Sequence, residues 1–248
     1  MSYRSEVTFV RGVGIAAAIA ALLTLSVPAQ SAIVGYDNQS SFNTAISGWT
    51  STTTNFDSAV VGTTYTTGTG PTGSGFTLAL TGGSAGYNLP VIANQLWTTS
   101  GVQYLGLDNF DTALEAGDLL TFNFASAVQA FGLFVIGGRD VQSGDMRLTT
   151  NDGASVVNSG VPYLTSGVGD FAYFLGFASD NSDTFTSVTL DYANLGIGDL
   201  LPIAVDDVVL AVNDGANNGG GTVPEPGTLG LMFAGLLALG SRLRKPSI

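Results

Sequence analysis

From residue 50 onward, apolar and polar positions alternate in short runs set off by Gly, Asn and Asp, and a period of two predicts β-strands. Phe76, Leu78 and Leu80 alternate with Thr77, Ala79 and Thr81. Leu120, Phe122 and Phe124 form a similar stripe after Gly117-Asp118, and Met146 and Leu148 alternate with Arg147 and Thr149. Phe171, Tyr173, Leu175 and Phe177, then Val188, Leu190 and Tyr192, continue the pattern, and Val102–Leu107 reads as a further strand. Two segments differ. Ala130–Ile136 is apolar at every position, which predicts a central strand buried on both faces. Ile203–Val212 is equally apolar but carries Asp206-Asp207 in its middle. Asn151-Asp152-Gly153 reads as a hairpin turn with Ala154–Val157 as the returning strand.

Only one stretch has helical spacing. Asp37-Asn38-Gln39-Ser40 supplies a cap, Phe42 and Ile46 lie four apart, and Gly48 ends the segment. Beyond it Thr52, Thr54 and Phe56 fall on one side of a strand, in a region holding nine threonines between Thr50 and Thr69. With about eight to ten short strands, the chain is predicted to be all-β, an antiparallel β-sandwich or jelly roll with one short N-terminal helix.

Both ends depart from this pattern. Arg4 and Arg11 precede an apolar, Ala- and Leu-rich run from Gly12 to Leu25, and small residues follow from Ser26 to Ala32. That order predicts a secretory signal peptide, with Ala29-Gln30-Ser31 placing cleavage after Ser31. At the other end, Asn213–Gly221 reads as a Gly/Asn linker. Val223-Pro224-Glu225-Pro226 then forms an extended, accessible step, because each proline lacks an N–H and fixes its own φ. An apolar run from Leu229 to Leu239 and the cations Arg242, Arg244 and Lys245 close the chain. Cations after an apolar span stay on the cytoplasmic side, so the body upstream would lie across the membrane. The predicted organisation is a signal peptide at 1–31, a β-sandwich ectodomain at 32–213, a linker at 214–222 and a tail at 223–248. Within the tail, 228–241 would form a membrane helix and 242–248 the basic end, although the run is short against the ~20 residues a spanning helix needs.

A Pro-Glu-Pro motif, an apolar segment and a basic end, in that order, resemble the PEP-CTERM sorting signal of Gram-negative bacteria. Tails of this kind are also grouped with the C-terminal domains of ice-binding proteins. The resemblance implies export through the general secretion machinery, recognition by an exosortase and transient anchoring in the inner membrane. The destination would be the cell surface or a polysaccharide (biofilm) matrix. The body also resembles the β-sandwich ectodomains found on such tails, through Gly117-Asp118-Leu119-Leu120-Thr121-Phe122, Ala130-Phe131-Gly132, Phe174–Ser179 and Val205-Asp206-Asp207-Val208. These are similar to carbohydrate-binding jelly rolls, in which a structural calcium often ties an early strand to the last one. That analogy makes Asp57, Asp206 and Asp207 the candidate Ca2+ ligands. A carboxylate inside an apolar strand is costly unless it is paired or bound to a metal; the bland alternative is that one of two adjacent Asp faces outward.

Composition narrows the chemistry. Outside the two ends, 17 acids face only Arg139 and Arg147, a net charge of about −15. Such a surface repels phosphate backbones and excludes nucleic-acid binding. With no His and no Cys, triads, imidazole ligands, thiolate nucleophiles and disulfides are all absent. Glu115 is the single glutamate of the ectodomain, which weakens a paired-carboxylate hydrolase without removing one built on two Asp. The expected role is therefore non-catalytic, in binding or matrix structure, with extracellular polysaccharide as a partner and Trp97 as a loop aromatic that could stack on a sugar. The alternatives are a carboxylate-based polysaccharide hydrolase or lyase, and an ice-binding adhesin using the Thr52 and Thr54 array.

Overall fold

The computed structural model describes residues 33–82, 88–93, 98–106, 117–137, 141–165, 171–179, 183–193 and 204–214. All of them belong to one unit, Ser31–Asn218. The predicted signal peptide, nearly all of the predicted linker, and the sorting tail lie outside the described residues, as do Trp97, Glu115, Arg139 and Ile203.

Strand β1 (Ile33–Tyr36) leads to helix α1 (Gln39–Ala45), followed by β2 (Thr50–Thr54), β3 (Thr64–Tyr65), β4 (Phe76–Thr81), β5 (Leu89–Ala93) and β6 (Gln103–Leu105). The series continues with β7 (Leu119–Val128), β8 (Ala130–Gly137), β9 (Met146–Thr150), β10 (Ser155–Val157) and β11 (Leu164–Thr165). It ends with β12 (Phe171–Ser179), β13 (Phe185–Tyr192) and β14 (Ala204–Val212). Among the described residues these strands form two antiparallel sheets, so the predicted fold class is observed. One sheet runs β1-β12-β8-β14-β6-β5-β3, with β11 added to β12 and β2 added to β14; the other runs β10-β9-β13-β7-β4.

The two sheets face each other across the main core. Leu78, Phe122, Leu148 and Val188 of the smaller sheet share it with Leu133, Val135, Leu175 and Phe177 of the larger. Phe122 and Phe131 meet with ring centroids 5.2 Å apart, an inter-sheet aromatic contact of the kind that adds to simple area burial. Strand β8 is buried at every position, as its unbroken apolar run predicts, and lies between β12 and β14.

Strand β12 corrects the reading of a one-sided stripe. Tyr173, Leu175 and Phe177 point into the main core as expected. Ala172, Phe174 and Ala178 are buried as well, in a second apolar cluster on the outer side of the same sheet. Helix α1 covers that side. Asn38 caps the helix by accepting the Ser41 N–H at 3.1 Å, and the helix buries one residue, Phe42, against Phe174 at 5.1 Å.

Other differences are local. Phe56 falls after β2, with φ at +60°, rather than continuing its stripe. Val102 is exposed and precedes β6. Asn151–Gly153 does turn β9 back onto β10, with Gly153 at φ +89°, where a side chain would be strained.

Candidate functional site

Three carboxylates singled out by the sequence converge on one loop, residues 98–103. Asp57 reaches it from the turn after β2. Its Oδ1 accepts the backbone N–H groups of Val102 at 2.8 Å and Gln103 at 3.1 Å, and its own carbonyl accepts from Gln103 Nε2 at 3.3 Å. Gly101 sits against this carboxylate at φ +53°, so closely that a Cβ there would overlap it. Only glycine meets both demands.

Asp206 and Asp207 hold the other side of the loop. Ladder register between β14 and β8 shifts between Asp206 and Val209, and Asp207 adopts φ +48°. This bulge breaks the period of two that would send adjacent side chains to opposite faces. Both carboxylates therefore reach the same two residues. Asp206 Oδ2 accepts from Thr99 N, Thr99 Oγ1 and Ser100 N at 2.9, 2.8 and 3.2 Å. Asp207 accepts from Thr99 Oγ1 at 2.8 Å and from Ser100 Oγ at 2.6 Å. Asp206 is fully buried, and that burial, with Asp207 beside it, pushes its pKa up to about 6 against the opposing pull of the Thr99 and Ser100 donors.

The sequence exposed the carboxylates but not their partners. Thr99 and Ser100 sit in the polar run Thr98-Thr99-Ser100-Gly101, whose only signal was its position beside Trp97. Replacing Asp57 with Ala leaves two backbone donors without an acceptor. An expected loss of about 1–3 kcal/mol in urea unfolding follows, with the denaturant slope unchanged.

Chemically, the two ends of the loop differ. Every Asp206 and Asp207 carboxylate oxygen already accepts a chain donor, Asp206 Oδ1 taking the Asp207 N–H at 2.8 Å. This pair works as an anchor. At the Asp57 end, Gln103 Oε1 is buried and has no partner among the described residues, while Nε2 of the same amide is held by Asp57. Carbonyl and carboxylate oxygens are what a hard cation takes, and at this end they are the buried Gln103 Oε1 and the half-buried Asp57 carboxylate. Among the described residues, no group of three or more acidic, His or Cys side chains could hold a metal.

A second feature lies on the outer face of the smaller sheet. An open depression of about 440 Å³ is lined by residues of β7, β9, β10, β13 and the Asn151–Gly153 turn, with Asp191 as its one acidic residue. Asp191 pairs through both oxygens with Arg147 Nε and Nη2. On β2, by contrast, the threonine array does not continue across the sheet: Thr52 and Thr54 stand opposite the apolar Leu210 and Val208.

Residues 222–245 match the model of the PEP-CTERM protein-sorting motif. The crystal structure of the K2 cleaved adhesin domain of Lys-gingipain is similar at 14% identity, covering 64% of this chain and 97% of that one, with a TM-score of 0.41. No curated protein matches the chain.

Proposed function

We propose, from the PEP-CTERM motif at residues 222–245, that this chain is exported, processed by an exosortase and delivered to the surface or polysaccharide matrix of a Gram-negative cell. There it acts as a non-catalytic binding or structural component. Residues 1–31 serve as the secretion signal and 32–213 as the displayed domain. Residues 214–222 tether that domain to the tail, in which Pro224-Glu225-Pro226 is the recognition step and Arg242, Arg244 and Lys245 hold the cytoplasmic side. The motif match is the observation that carries this reading.

Chemistry supports a binding role over hydrolysis. A glycosidase pair needs two carboxyl groups roughly 5–9.5 Å apart across a cleft. The described depression offers Asp191 alone, neutralised by Arg147, while Asp206 and Asp207 are closed around Thr99. The test of sorting uses the full chain in its native cell, with Pro224, Glu225 and Pro226 all replaced by Ala. The wild type is expected at the surface or in the matrix, with a mature mass lacking Arg242–Ile248. The variant is expected to stay in the membrane fraction at full tail mass. An identical distribution and an uncut tail in both proteins would overturn the proposal.

The orphaned Gln103 Oε1 favours a structural calcium at Asp57 and Gln103. Bound there, the ion would supply cross-linking of the β2 end to the 98–103 loop, and no reaction. Chelation is expected to lower the melting temperature of the wild type and to leave Asp57→Asn unshifted; equal behaviour of the two proteins removes the ion.

A further inference from the structure

We infer that the outer face of the five-stranded sheet, centred on Arg147, Thr149, Thr189 and Asp191, binds a neutral polysaccharide chain; this deepens the binding role proposed above and rests on it. Directly opposed residues of an antiparallel pair share a face. Register therefore aligns Ala79, Thr121, Thr189, Thr149 and Ser155 in one row across all five strands. The next row brings Leu119, Asp191, Arg147 and Val157 side by side. The larger sheet has its outer side covered in part by α1, whereas no described element packs over these two rows.

Charge selects the class of ligand. Arg147 is the one Lys or Arg among the described residues, and Asp191 engages it through two hydrogen bonds. A guanidinium has five N–H donors, so the pair is neutral as a unit yet keeps free donors and spare lone pairs. An anionic polymer would meet no net positive charge here and an acidic domain all round, and it would be repelled. Hydroxyl groups meet no such penalty. Thr and Ser side chains both donate and accept, as the hydroxyls of an uncharged sugar require. Strands stand ~4.8 Å apart, close to the length of one sugar ring, so successive rings of an extended chain can meet successive strands.

The face is also set in advance. Thr121 and Thr189 hydroxyls bond each other at 2.9 Å. The turn that walls the depression is fixed to β13, because Asn151 Oδ1 accepts the N–H groups of Thr186 at 2.8 Å and Ser187 at 3.1 Å. Groups already held in place lose little freedom on binding. No aromatic ring lies on these rows, so the ligand is held by hydrogen bonds and contact with Leu119 and Val157, without stacking.

The experiment titrates purified full-length protein with cellohexaose, maltohexaose and xylohexaose, with polygalacturonate as the anionic comparison. Thr149→Val and Thr189→Val keep shape and strand preference while deleting one hydroxyl each, and Ser155→Ala does so on the exposed edge strand. At least one neutral hexasaccharide is expected to bind, more tightly than polygalacturonate. Each valine variant should weaken it about fivefold, as loss of one hydrogen bond would, Thr149→Val at an unchanged melting temperature and Thr189→Val with a small drop because it also breaks the bond to Thr121. Binding that is equal in all variants would place the ligand elsewhere and overturn this inference while leaving a binding role standing. A preference for polygalacturonate would overturn the charge argument, and with it the inference. No binding at all, by a protein that still sorts to the surface, would overturn the sugar face and leave the sorting reading intact.

Discussion

Replacing Phe42 with alanine is expected to lower the unfolding free energy by about 3–5 kcal/mol, the range for deleting a fully buried aromatic side chain. Phe42 is 0% exposed and is the one fully buried residue of α1, so its ring is the main anchor of the helix, with Ala45 and Ile46 partly buried against the same cluster. That ring sits over Gly132 of β8, where an added Cβ would come within 3.1 Å of Phe42 Cε1 and Cζ. Gly132 pairs across the ladder with Gly176 of β12, so two adjacent strands both lack a side chain beneath the helix. Truncating Phe42 leaves this hollow unfilled and opens Phe134, Phe174 and Ala178 toward solvent. The helix has seven residues, too few to persist alone, so its amides should lose protection from hydrogen exchange while those of β7 and β13 keep theirs. A loss below about 1 kcal/mol with helical protection intact would show that something other than this ring seats α1.

The second large effect depends on pH. The pKa of Asp206 is raised to about 6 in the fold, against 3.8 for an ordinary aspartate. The folded state therefore binds this proton more tightly than the unfolded chain does. Its stabilising contribution is full below about pH 4 and is lost as pH rises through about 6, amounting to roughly 3 kcal/mol for a shift of this size. Geometry gives the same sign. Thr99 Oγ1 lies 2.8 Å from an oxygen of Asp206 and 2.8 Å from one of Asp207, yet a hydroxyl has one hydrogen to give. A proton on Asp206 completes the chain, with Asp206 donating to Thr99 and Thr99 donating to Asp207. Without it, the one Thr99 hydroxyl hydrogen faces an ionised oxygen of each carboxylate and can serve only one of them, the other donors to the pair being Thr99 N, Ser100 N, Asp207 N and Ser100 Oγ.

Asp206→Asn cannot take up this proton. Its stability relative to wild type, from urea unfolding at a series of pH values, should be about 1–3 kcal/mol lower near pH 4, where the amide turns a donor toward a donor. The gap should close as pH approaches 8. The difference between the two proteins, and not the wild-type curve alone, is the test. Parallel curves would remove Asp206 as the titrating group.

Much of the fold could be read from the chain, for reasons visible residue by residue. Alternation in β4, β9 and β13 was unambiguous because large apolar side chains face the core and Thr, Arg or Asp face out. The capped helix and the Asn151-Asp152-Gly153 turn carried their own local chemistry. What stayed hidden was the second apolar layer: Ala172, Gly176 and Ala178 are small and carry almost no hydrophobic signal, and this side of the sheet is covered by segments distant in sequence, α1 more than 120 residues earlier among them. Strand β5 was masked by Pro90, which lacks an N–H but contributes its carbonyl to Gly106 at 3.0 Å. At the candidate site the buried carboxylates stood out in an apolar strand. Their common target did not, because it depends on a left-handed residue at Asp207 that no period-two reading contains.

The position of β14 sets how the domain would bear load if displayed as proposed. It is the last described strand before the tail, and it lies inside its sheet, zipped to β8 on one edge and to β2 on the other, with Val212 opposite Thr50 at its end. Under the proposed display, with residues 214–222 as the tether, drag on the domain would enter at the C-terminal end of that interior strand. Its flanking ladders would then be loaded in parallel and must shear together rather than peel one rung at a time. Resistance to such pulling is governed by the rate of unfolding rather than by equilibrium stability.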